Sequence, residues 1–352
     1  MPRVLMLGPS IDAQGGMATV ERNIIEAVER NGDGVDFIST YEEGGKLRKL
    51  AIAAAAYTRY LKRLGDCDLV HVHIASRGSF DRKRLFMEAA FRQGKPVVAH
   101  MHGSEFGVWY EQECGEAKRA QIRETFGSCA KVIVLSEEWR AFFVDSHICD
   151  PAMLVVLHNA VEIPAQAVDV ARNRGVLFLG RMGERKSPDI ILRAAKAVLE
   201  SHPQVRFRFG GDGDVAKYEA LAGELGIAGS CDFLGWATGD QKEEAVRVSR
   251  VFCLPSKNEG MPMSVLEAMS YGLATIATPV GGVPQVIQDG INGYLMPVDD
   301  SEFLASRINE LLDDPNLAAH IGSAGRKTIE ESFGMDAYAQ KLVEMYESMV
   351  RN

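Results

Sequence analysis

Glu259 and Glu267 bracket the stretch Asn258-Glu259-Gly260-Met261-Pro262-Met263-Ser264-Val265-Leu266-Glu267-Ala268-Met269, with seven residues between the two carboxylates. Pro262 has a fixed φ and no amide hydrogen to lose, which suits the start of a helix. The amides of Met263 and Ser264 then fall in a first turn with no carbonyl one turn back, and such a turn binds anions. Glu259 lies just before that helix and Glu267 more than a turn inside it. One carboxylate can therefore reach a ligand beyond the phosphate, and the other a group behind it. A nucleotide-sugar has that shape.

Five further motifs surround the pair: Gly180-Arg181 with Lys186 after a strand, Gly210-Gly211-Asp212-Gly213, Phe233-Leu234-Gly235, Gly281-Gly282-Val283-Pro284 and Asn292-Gly293. Each alone is an ordinary α/β turn. Taken in this order, with the glutamate pair followed by Ala268-Met269 and the turn Ser270-Tyr271-Gly272, they make the C-terminal half resemble the retaining glycosyltransferases of family 4, those of bacterial polysaccharide synthesis in particular. The resemblance implies an α/β GT-B fold: two Rossmann-like domains facing across a cleft, with a C-terminal helix crossing back to the first domain.

The 352 residues suit about two domains, and an apolar fraction of 46% can fill a core in each. No apolar run approaches the roughly 20 residues of a membrane span, and the chain opens on the strand-like Val4-Leu5-Met6-Leu7 rather than on a signal peptide. A cytoplasmic protein is expected, with attachment to the inner face of the cell membrane left open. The cysteines Cys67, Cys114, Cys129, Cys149, Cys231 and Cys253 are scattered, so buried thiols are expected instead of a disulfide framework or zinc knuckle.

A net charge of −9 argues against nucleic acid as a partner. The charge is uneven, however. Lys46 to Leu64 carries six bases (Lys46, Arg48, Lys49, Arg59, Lys62, Arg63) and no acid, and Arg77, Arg82, Lys83 and Arg84 follow. An anionic acceptor or membrane surface is one explanation of the cluster, and a solvated helix face is the other.

Short apolar runs alternate with helical stretches along the chain. Strands are expected over 3–7, 68–72, 97–99, 131–135, 154–157, 176–179, 206–209, 232–234, 251–254 and 274–278, an alternation that implies parallel sheets covered by helices on both faces. Residues 162–174 lack periodicity and read as the linker. Phe333 to Val350 places Tyr338, Leu342, Met345, Tyr346 and Met349 at helical spacing and matches the family's crossover helix. The expected domains are 1–165, an acceptor-binding unit completed by 334–352, and 172–333, a nucleotide-sugar-binding unit. Asn31-Gly32-Asp33-Gly34 departs from the family's usual Gly-His after the first helix.

In the first domain, strand one runs into Gly8-Pro9-Ser10-Ile11-Asp12-Ala13-Gln14-Gly15-Gly16, where adjacent glycines let a backbone approach a ligand. The resemblance assigns Gly15 and Gly16 to the donor diphosphate. His71 and His73 lie two apart in one strand pattern and His100 and His102 in another, so each pair can share a sheet face. A third metal ligand at recognisable spacing is lacking, and no metal is expected. His102-Gly103 resembles the family's histidine beside the donor sugar, and the remaining histidines read as structural. Asp212-Gly213-Asp214 matches an Asp-x-Asp cation motif in form, but its place between strand and helix makes the two aspartates turn and cap residues.

The expected activity is transfer of a hexosyl group from a nucleoside diphosphate sugar, UDP-linked by preference, to a glycan or lipid-linked acceptor with retained configuration. The catalytic set is His102, Arg181, Lys186 and Glu259. Arg181 and Lys186 would meet the leaving diphosphate without a cation, and Glu259 would contact donor-sugar hydroxyls. Glu267 would accept from the ribose hydroxyls. Donor contacts are completed by Gly211, Leu234, Gly235, Gly260, Met261, Met263 and Ser264. The alternatives are a nucleotide-sugar 2-epimerase of the same architecture and a non-catalytic nucleotide-sugar-binding module.

Overall fold

The strands place their apolar runs in two separate sheets. The protein is described from a computed structural model over residues 2–13, 15–30, 34–42 and 45–350, the side chains at 46, 47 and 50 apart. Gln14 and residues 31–33 of the Asn31 to Gly34 turn lie outside the described residues. The chain divides into one unit of residues 1–159 and 335–352 and a second of 160–334.

In the first unit β1 (Val4–Gly8), β2 (Val35–Ser39), β3 (Leu69–Ile74), β4 (Val97–Met101), β5 (Lys131–Val134) and β6 (Leu154–Val156) form a parallel sheet in the order β2-β1-β3-β4-β5-β6. β1, β3 and β4 are buried along their whole length, as expected of strands covered on both faces. Helix α1 (Gly16–Arg30) and the last helix, Met335–Val350, pack together in this unit. Tyr338, Leu342 and Tyr346 are buried there, while Met345 and Met349 are half-buried. Thus the terminal segment belongs to the first unit.

In the second unit β7 (Gly175–Leu179), β8 (Phe207–Gly210), β9 (Cys231–Gly235), β10 (Ser249–Leu254), β11 (Ala274–Ala277) and β12 (Tyr294–Leu295) form a parallel sheet in the order β12-β11-β10-β7-β8-β9. The order reverses between β7 and β10, and ligand crevices of doubly wound sheets lie beyond the carboxyl ends of strands at such a reversal.

The segment expected to be the linker is held instead by the second unit. Val161 N–H donates to the Phe333 carbonyl at 3.0 Å and Val168 N–H to Tyr271 at 2.8 Å, while Arg250 donates to the carbonyls of Val170 and Ala171 and Arg326 to that of Pro164. These partners lie up to 172 residues along the chain, so periodicity within the segment carries no sign of them.

The basic run is carried by helices. It forms α2 (Lys46–Leu64) and the start of α3 (Gly78–Arg92). Arg48 pairs with Glu42 and Arg63 with Asp36, Arg77 meets Glu105 and Glu113, Arg84 meets Glu88, and Lys83 is buried. Arg59 and Lys62 stay exposed. Among the described residues all six cysteines are free thiols, with Cys149 half-buried and the others buried. No helix among them is long and apolar enough to cross a membrane.

Candidate active site

Two loops leave the sheet at the reversal between β7 and β10, and each carries half of an ion pair. After β7 the chain turns through Gly180 and Arg181 to Lys186, whose amide donates to the Gly183 carbonyl at 3.0 Å before the helix Pro188–Ser201 begins. After β10 it runs through Ser256 to Glu259. Lys257 N–H donates to the Arg185 carbonyl at 2.8 Å, and Arg185 Nη1 donates to the Asn258 carbonyl at 2.8 Å. These bonds tie the loops and bring Lys186 Nζ to 2.6 Å from Glu259 Oε1, with Arg185 Nη1 at 3.4 Å from Oε2.

Glu259 keeps only 6% of its side chain exposed and Lys186 only 12%. Burial alone would raise the Glu259 carboxyl, but Lys186 and Arg185 together outweigh it and hold Glu259 below the ordinary carboxylate value. Burial pulls Lys186 below the ordinary lysine value, against the opposing pull of Glu259. The trio carries a net positive charge beside the helix Met263–Ser270, whose first-turn amides are those of Met263 and Ser264. Pro262 occupies the cap position rather than the first helical one.

Close backbone packing fixes the Glu259 loop. Gly282 N–H donates to the Gly260 carbonyl at 2.6 Å, and Gly281 has φ +57. A Cβ on Gly281 would run into the Glu259 carbonyl oxygen, and one on Gly282 into the Met261 side chain. A Cβ on Gly211 would likewise meet the Gly180 carbonyl, which explains the glycine where the ends of β7 and β8 meet. Gly211 N–H donates to Gly235 at 2.6 Å, and Gly235 turns with φ +64 directly after Leu234.

Among the remaining expected residues, Arg181 is 68% exposed and 4.0 Å from Asp212, leaving its guanidinium open to an incoming anion. Glu267, inside the helix, has Oε1 3.1 Å from Lys242 Nζ of the helix Gly239–Arg247. Asp214 stands at the cap of the helix Val215–Glu224, yet its side chain makes no cap hydrogen bond, so the cap role expected for it is confined to the backbone position. Sequence reasoning missed Arg185 and Lys242. Arg185, adjacent to Lys186 in a loop, gave only its charge as a signal, and its role depends on pairing with Asn258 and Glu259 far along the chain.

The first unit holds Gly15, Gly16 and His102. Gly15 has φ +141, and its carbonyl accepts from Thr19 N–H at 3.2 Å as α1 begins at Gly16. His102 follows β4, its amide donating to the Ile74 carbonyl at 2.9 Å, and its Nε2 lies 2.8 Å from His73 Nδ1. The two histidine pairs of the sequence are one cluster, because the β3–β4 register sets His73 opposite His100.

A family model described as Glycosyl transferases group 1 matches residues 162–328, and one described as Glycosyltransferase Family 4 matches residues 14–163. A D-inositol 3-phosphate glycosyltransferase of Streptomyces scabiei (strain 87.22) is 30% identical over 312 residues, covering 81% of this chain and 68% of the relative. The chain belongs to the family 4 glycosyltransferases. Solved structures similar to this glycosyltransferase include sucrose-phosphate synthase from Thermosynechococcus elongatus (TM-score 0.80, 19% identity, 99% of each chain). They also include Anabaena HepE in complex with UDP and glucose (TM-score 0.78, 18% identity, 99% of this chain and 100% of that one). At these identities the likeness establishes the GT-B-like fold.

Proposed function

We propose that the chain transfers a hexosyl group from a nucleoside diphosphate sugar, UDP-linked by preference, to a glycan or lipid-linked acceptor with retention of anomeric configuration. The observation that carries this reading is the buried Glu259 carboxylate, locked between Lys186 and Arg185 at the strand-order reversal and next to a helix N-terminus. An anion at the helix start meets first-turn amides and the exposed Arg181, and Lys186 adds charge stabilisation as negative charge grows on the leaving diphosphate. The UDP and glucose seen with HepE agree with such a donor.

Glu259, with both oxygens facing cations, is poorly suited to act as a covalent nucleophile. Its role is to accept hydrogen bonds from donor-sugar hydroxyls. Departure and attack then take place on one face of the sugar, the leaving phosphate oxygen taking the proton of the acceptor hydroxyl as the new glycosidic bond forms. Glu267, oriented by Lys242, accepts from the ribose hydroxyls. For Gly15, Gly16 and His102 the reading rests on the family resemblance alone.

Glu267→Ala is expected to weaken binding of free UDP by about 1.5 to 3 kcal/mol, the range for hydrogen bonds to a charged group. Calorimetry showing equal UDP affinity in wild type and variant would remove Glu267 from the donor site. Because Arg181, Lys186 and helix amides can neutralise the diphosphate, turnover is expected to persist in EDTA, and UDP is expected to raise the melting temperature more than GDP. Loss of transfer in EDTA, restored by magnesium or manganese, would return Asp212 and Asp214 to consideration as cation ligands.

A further inference from the structure

The sheet face under α1 is polar where a Rossmann-like core is normally apolar. His71, His73 and His100 are fully buried, and one ring nitrogen from each lies within 4.8 Å of those of the other two. Glu21 of α1 is also fully buried over the same face, with Oε1 3.9 Å from His73 Nδ1. Hydrogen bonding explains part of this cluster: His71 Nδ1 meets the Tyr346 hydroxyl, His71 Nε2 lies 3.2 Å from His100 Nδ1, and His73 Nδ1 lies 2.8 Å from His102 Nε2. It leaves His73 Nε2, His100 Nε2 and both carboxylate oxygens of Glu21 without a hydrogen-bond partner among the described residues. Buried polar atoms left unpaired cost about 1–3 kcal/mol each, so a ligand that takes up those of His73, His100 and Glu21 is favoured, even though His71 must give up one of its two hydrogen bonds to bind it.

We propose that His71, His73 and His100 form a buried structural zinc site that joins β3 and β4, with Glu21 of α1, the buried carboxylate over the same face, moving in as fourth ligand. Three imidazoles and a carboxylate are a donor set that zinc accepts in tetrahedral geometry. Ligand atoms around tetrahedral zinc stand ~3.3 Å apart, so from spacings of up to 4.8 Å the rings need close in by at most about 1.5 Å. The neutral imidazole is the form that ligates metal. Lys83 Nζ is held by the His73 carbonyl. Four protein ligands close the coordination sphere, so this metal is structural and distinct from any cation on a donor diphosphate.

The test is metal content. The full chain, expressed in zinc-supplemented medium and desalted exhaustively, should carry about one zinc per chain by plasma mass spectrometry, as a closed four-ligand site would. His73→Gln and His100→Gln should each lower that content at least about tenfold, matching the loss seen when a ligand or its support is removed. His202→Gln, a histidine change in the second unit, should leave it unaltered. X-ray absorption at the zinc edge should show three imidazole nitrogens and one oxygen at about 2.0–2.2 Å, and it decides the matter if the ligand variants fail to fold. Folded protein that holds no zinc after expression or after refolding with zinc chloride would overturn the proposal in favour of a purely hydrogen-bonded histidine stack. Zinc content undiminished in the folded ligand variants would overturn it in favour of adventitious surface binding.

Discussion

Lys186→Met is expected to destabilise the second unit by about 3–5 kcal/mol, the range measured when one partner of a buried ion pair is removed and the other stays charged. Glu259, left buried, then has Arg185 as its remaining cation, at 3.4 Å and on a side chain that is partly in solvent. The double variant Lys186→Met, Glu259→Gln should recover much of the loss, because it removes the uncompensated charge along with the pair. Denaturant titration of wild type, Lys186→Met, Glu259→Gln and the double variant checks this, and a Lys186→Met protein as stable as wild type would contradict it. The sign of the pH dependence follows from the same pair. Glu259 titrates below its ordinary 4.5 in the folded chain, so its contribution is full above that pH and lost as pH falls through the lower folded value. Lys186→Met should weaken that acid-side dependence. If Lys186 also stabilises the leaving diphosphate, turnover should fall by about 10²–10³ beyond any effect of unfolding, as when one preorganised charge-stabilising donor is removed.

Gly281→Ala should be nearly as damaging, although alanine adds one methyl group and no charge. At φ +57 an alanine is strained by about 1–3 kcal/mol. Its Cβ also overlaps the Glu259 carbonyl, and relieving such overpacking costs about 1–3 kcal/mol more. The relief must move the Glu259 backbone, and with it the carboxylate set against Lys186. Loss of turnover larger than loss of nucleotide affinity is therefore expected, since the 2.6 Å pair is disturbed before the helix carrying Glu267 is. A Gly281→Ala protein with wild-type melting temperature and turnover would show that the loop does not hold Glu259 in the way described.

Much of the architecture was legible in the sequence because fully buried parallel strands announce themselves as apolar runs. Val4–Gly8, Leu69–Ile74 and Ser249–Leu254 are buried at every position. β2 and β12 were not legible. Val35–Ser39 is an edge strand with one fully buried residue and an aspartate inside it, and Tyr294–Leu295 is two residues long. In the candidate site, Glu259, Glu267, Arg181 and Lys186 stood out by type and spacing. The sequence did not show that Lys186 faces Glu259, because that contact depends on Lys257 bonding to Arg185 across 72 residues of chain. Lys83 is the sharpest misreading. It sits in a basic run that looks solvated, yet it points inward and ends on the His73 carbonyl.

The central claim is transfer from a nucleoside diphosphate sugar with retention at the anomeric carbon, and time-resolved proton NMR of the reaction tests it most directly. Wild-type protein is mixed with UDP-glucose, UDP-galactose, UDP-N-acetylglucosamine or GDP-mannose and an alkyl glycoside acceptor, and the anomeric signals are followed from the first minutes. The account predicts that one UDP-sugar is consumed, that UDP appears, and that the new glycosidic signal has the α configuration of the donor. A β-linked product would contradict the single-face mechanism. Absence of turnover with every donor, together with absence of UDP binding, would contradict the donor site itself.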